Sequence, residues 1–114
     1  MTLRLPLTLD AWGSKHFRQT CKSELEQLHV HQLPLQQALR LGSHVVEKPL
    51  GAMLLTASES ATHVELKVGI FFTSLIAGCS CADDPTPLEE QNEYCEMAFT
   101  IDKNTATADA RLTE

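Results

Sequence analysis

The chain has 114 residues, a mass of 12.6 kDa and a net charge of −6. That is room for one domain, residues 1–114, burying roughly 65% of the surface its unfolded form exposes. With 43% apolar and 21% charged residues it is not a disordered chain, and no apolar run approaches the roughly 20 residues of a bilayer-spanning helix. The negative charge argues against binding a phosphate backbone, so neither nucleic acid nor a membrane is expected as a partner.

The N-terminal residues alternate leucine with Thr, Arg and Pro and lack a continuous apolar signal-peptide core. A reducing cytoplasm is the expected compartment, where four cysteines stay free, bind a metal or act in redox chemistry.

In chain order, Leu3, Leu5, Leu7 and Leu9 alternate with polar residues and predict a strand, which Pro6 places at a sheet edge. Phe17, Cys21, Leu25 and Leu28 form one apolar stripe on a helix running from about Lys15 to Leu28. Pro34 and Gly42 bracket a second, short helix over 34–41. Val45 and Val46 begin an extended stretch, and Leu50–Ala57 reads as a strand before a polar turn at 58–62. Val64, Leu66, Val68, Ile70 and Phe72 alternate along a long strand. Cys95, Met97, Phe99 and Ile101 do so along another, and Ala106, Ala108, Ala110 and Leu112 along a third.

Because a one-residue slip turns a whole face to water, register follows from matching the apolar faces. A two-residue turn at Lys103-Asn104 opposes Ile101 to Ala106, Phe99 to Ala108 and Cys95 to Leu112. Pairing Ile70 with Ile101 and Phe72 with Phe99 then sets Ile76 opposite Cys95. The predicted fold is α+β. An antiparallel sheet of about four to five strands, ending in a three-stranded meander, carries two helices from the N-terminal half on one face.

The chemically unusual segment is the connection at 78–92, which is longer than an ordinary hairpin loop. From Cys79 to Glu96 there are six carboxylates and no Lys or Arg. Cys79, Cys81 and Cys95 could hold zinc, with a histidine or aspartate as fourth ligand, since thiolates here would need a bound cation to stabilise them. The spacing C-x-C departs from the usual zinc knuckle, and the register places Cys95 on the core face. Asp83, Asp84, Glu89, Glu90 and Glu93 could instead hold a hard cation or dock a basic protein surface. The plain structural reading is a surface loop stiffened by Pro85 and Pro87, its cysteines packed as small side chains.

His29 and His31 are placed to share a side and could chelate a metal, although paired histidines in a polar connection are more often simply exposed. Phe71 and Leu75 fall on the face opposite the core, which suggests self-association as a homodimer. These residues describe a small binding module whose acidic, cysteine-containing loop holds zinc or docks a partner. The competing reading is a thiol-based enzyme or redox protein using Cys79 or Cys81.

Overall fold

The computed structural model describes residues 3–42, 44–75 and 90–113. Among the described residues the architecture is α+β, with six strands in one antiparallel sheet and two α-helices. The strands are β1 (Leu3–Arg4), β2 (His44–Val45), β3 (Gly51–Glu59), β4 (His63–Leu75), β5 (Glu90–Asp102) and β6 (Thr107–Leu112). The helices are α1 (Pro6–Asp10) and α2 (Phe17–Glu26).

β4 is the axis of the sheet. One of its edges pairs with β5 from His63↔Asp102 to Leu75↔Glu90. Along the other edge β3 covers Val64–Phe71 and β2 covers Ser74–Leu75. β6 continues the sheet beyond β5, and β1 lies outside β6. Val64, Leu66, Val68, Ile70 and Phe72 of β4 point inward with Cys95, Met97, Phe99 and Ile101 of β5. Phe17, Cys21 and Leu25 of α2 belong to the same buried cluster, as do Val30, Leu33 and Leu35 of the segment that follows. Each such side chain is worth about 1.5–3 kcal/mol against exposure. Trp12 closes one end of the core, edge-on to Phe17 at 5.0 Å between ring centroids.

Two local expectations are corrected. The Leu3–Leu9 alternation yields only two strand residues, because Pro6 starts α1 instead of sitting within an edge strand. Proline lacks the N–H that a first helical turn leaves unused, and its fixed φ suits that position. The turn has no cap from Leu5. Its Leu7 and Thr8 N–H groups donate instead to the Glu24 carboxylate of α2, at 3.0 and 2.8 Å. The predicted helix over 34–41 is instead a short 3₁₀ turn at Leu35–Ala38, preceded by another at Val30–Gln32.

The register is corrected as well. β4 and β5 pair Val64↔Ile101, Leu66↔Phe99 and Ile70↔Cys95, a slip of six residues from the expected alignment. An even slip keeps every side chain on its own face, so face matching could not see it. The observed pairing runs the full length of both strands and brings Val64, Leu66 and Val68 against a partner. The β5–β6 turn is longer than expected, giving Ile101↔Ala108 and Phe99↔Ala110. A two-residue hairpin turn favours positive φ at its central positions, which Lys103 resists. The chain instead places Ala106 at φ 61°, with its N–H on the Asp102 carbonyl at 2.8 Å. The Asp102 carboxylate accepts from the Asn104 and Thr105 N–H groups.

One close approach locks the 39–42 segment against the sheet. A Cβ placed on Gly42 would lie 2.1 Å from the Ser74 hydroxyl oxygen and 2.8 Å from the Leu75 carbonyl oxygen. The substitution Gly42→Ala should therefore cost about 1–3 kcal/mol, as forced overpacking does. Chemical denaturation checks this, and an unchanged midpoint would mean that the segment yields freely.

Candidate functional site

The predicted site residues separate into three groups. Cys79, Cys81, Asp83, Asp84 and Glu89 lie outside the described residues. Cys95, Glu90 and Glu93 sit on β5, and Phe71 and Leu75 on β4.

Cys95 is buried on the inner face of β5, beside Met97 and Phe99. Burial pushes its thiol up to about 11, and the nearby Arg40 guanidinium opposes that shift without cancelling it. Cys21, buried under α2, is likewise pushed up to about 11, first by desolvation. Both side chains are protonated at neutral pH and behave as small apolar core groups. Among the described residues no group of three or more His, Cys, Asp or Glu is placed to hold a metal ion.

Glu93 is 4% exposed and turns inward. Its carboxylate accepts from three successive backbone N–H groups, Arg40 at 3.1 Å, Leu41 at 3.0 Å and Gly42 at 2.9 Å. The Ser74 hydroxyl donates a fourth hydrogen bond at 2.7 Å. Burial alone would raise the pKa of this carboxyl. The Gly42 N–H, the Ser74 hydroxyl and the Arg40 and Leu41 N–H groups outweigh it and hold the group below the usual carboxylate range. Glu93 thus faces a loop of its own chain, while Glu90 is exposed and pairs with Lys48 at 2.7 Å. An exposed pair of this kind stabilises little.

The His29–His31 pair has a structural role. The ring nitrogen Nδ1 of His29 accepts the His31 N–H at 3.2 Å, while the Gln32 side chain accepts the His29 N–H at 2.8 Å, capping the first 3₁₀ turn. An accepting Nδ1 puts the proton of the neutral ring on Nε2. That edge faces Glu47, 3.9 Å away for His29 and 3.0 Å for His31.

The outward face of the sheet is different in kind. Phe71 is 47% exposed and Met53, on the neighbouring strand, 45%. Tyr94 lies directly opposite Phe71 across the β4–β5 pair, with ring centroids 4.9 Å apart and planes tilted by 51°. The Tyr94 ring also covers Gly69, where a Cβ would meet its hydroxyl oxygen at 2.6 Å. Its hydroxyl donates to Glu96 at 3.2 Å, and Glu96 pairs with Lys67 at 3.4 Å. Partial burial, then the Glu96 carboxylate, raises the Tyr94 phenol above its ordinary pKa. Leu75 shares the outward parity of Phe71 and is half-buried. Sequence reasoning does not single out Met53, whose strand lacks a sustained alternation, or Tyr94, whose parity points it outward but whose contact with Phe71 arises only once β5 is aligned on β4.

Comparison with known protein families, curated proteins and solved structures finds no match to this chain. Among the described residues no helix is long and apolar enough to cross a membrane.

Glu93 yields a prediction with a definite sign. Its folded pKa lies below the unfolded carboxylate value of about 4.3. Its contribution is therefore complete above that value and lost as pH falls through the folded pKa. Glu93→Gln leaves one acceptor for four donors and sets an amide N–H₂ against them. It should cost about 2–4 kcal/mol at pH 7 and flatten the acid limb of the stability curve. Denaturation midpoints between pH 7 and 3 test both, and parallel wild-type and variant curves would contradict the cradle.

Proposed function

We propose that this chain is a small binding module that docks a protein partner on the uncovered face of its sheet, the first candidate being a second copy of itself. Among the described residues, the buried side chains of α2 and of the 3₁₀ turns share one apolar cluster with the inward residues of β4 and β5, and the opposite side of the sheet is the proposed working surface. The observation that carries this reading is the exposure of Met53 and Phe71 side by side, with Tyr94 against them. Adjoining apolar and aromatic side chains rimmed by Lys67, Glu65 and Glu96 match the anatomy of an interface core with a charged rim. Burying one phenylalanine there would contribute about 1.5–3 kcal/mol.

Sedimentation velocity over a wide concentration range tests the self-association arm. The wild type should show a concentration-dependent rise in mass, and Phe71→Ser should shift that transition at least about tenfold higher. A monomer at every concentration, in both proteins, would remove the homodimer.

A second reading concerns the acidic segment. Zinc held by Cys79, Cys81 and Cys95, or a basic partner docked through Asp83, Asp84, Glu89 and Glu90, gives the same module a second surface. Its support is that Glu90 is exposed where the segment rejoins the sheet. A thiol-based activity would fall to Cys79 or Cys81, because the Cys95 thiol at about 11 is a poor nucleophile at neutral pH. Metal analysis of chelator-free protein should find about one zinc per chain, with Cys79 and Cys81 protected from thiol reagents until chelator is added. Metal-free protein whose Cys79 and Cys81 titrate freely in the native state, with buried Cys21 and Cys95 titrating only on unfolding, would eliminate zinc.

A further inference from the structure

The groove between α2 and β3 has a chemistry that the sheet-face reading does not use. Arg18, Lys22 and Glu26 recur every fourth residue along α2 and lie over the outer edge of β3. The Arg18 guanidinium donates to the Leu54 carbonyl at 2.7 Å, and the Glu26 carboxylate accepts the Ala52 N–H at 3.1 Å. Lys22 is ion-paired with Glu26 one turn on. Beside them is a groove of about 420 Å³ whose apolar wall includes Met53, Leu54 and Phe71. That volume is within the range of small-molecule sites.

Two features select the occupant. The strand edge at Ala52 and Leu54 is already satisfied by side chains, so a peptide adding as a further strand would have to break both hydrogen bonds. The rim sets two cations against one carboxylate, within a chain of net charge −6. Charge complementarity therefore favours an anion, and the apolar wall favours one with an apolar body.

We propose that this groove binds a small amphipathic anion, its aromatic or aliphatic body against Met53 and Phe71 and its single acid group between Arg18 and Lys22. The site shares Met53 and Phe71 with the docking face but does not rest on dimer formation. Lys22 projects from the helix, so Lys22→Gln should leave sedimentation behaviour unchanged and separate failure of one reading from failure of the other.

The test uses two fluorescent probes, anilinonaphthalene sulfonate and its uncharged relative N-phenylnaphthylamine, titrated into dilute native protein. The sulfonate should bind with one site per chain. Lys22→Gln should weaken it about fivefold and leave the neutral probe unchanged, while Met53→Ser should weaken both. Circular dichroism melting confirms that each variant is folded. Absence of sulfonate binding, a sulfonate affinity indifferent to Lys22→Gln, or affinities indifferent to Met53→Ser would each overturn the proposal.

Discussion

The pairing of β4 with β5 is the constraint on which the rest of the molecule depends. It runs the full length of both strands, and every other element of the sheet is placed by it, directly or through one neighbour. β3 and β2 share the remaining edge of β4, β6 continues from β5, and β1 adds to β6. A ladder this long gives each strand a single inward face. The inward residues from Val64 to Phe72 and from Cys95 to Ile101 then form a continuous apolar surface for the helices and 3₁₀ turns to cover.

The covering layer is held by carboxylates as much as by apolar contact. Glu24 supplies the missing cap of α1, Glu26 occupies the open edge of β3, and Glu93 collects three backbone N–H groups of the 40–42 segment. In each case an acidic side chain from one element satisfies main-chain donors that another element leaves unpaired. These three carboxylates thus have a structural use. Glu93 also illustrates how little local charge density says about use, since it belongs by sequence to the acidic run and by contact to the interior.

The outward face and the helix-side groove meet at Met53 and Phe71. Their exposure follows from the same pairing that builds the core. Gly51 lies opposite Phe71 and Gly69 opposite Met53, so each large side chain stands next to a position with no side chain of its own. Tyr94 fills the space over Gly69 from the other side, and the result is a ridge of apolar groups bordered by charge.

The sequence by itself determined the α+β class, the long alternating strands and the stripe Phe17, Cys21 and Leu25, because each rests on a periodicity local to its segment. It also marked Phe71 as outward, which parity alone decides. Strand parity survives any even slip, so the six-residue displacement between β4 and β5 could be settled only by the total length of ladder formed. The fate of Pro6 was decided similarly, since its turn became a helix when Glu24, distant in sequence, arrived to cap it. For Glu93, Met53 and Tyr94 the deciding neighbours come from other strands and loops. Their roles exist only once tertiary packing brings N–H donors, a glycine or an aromatic ring within contact.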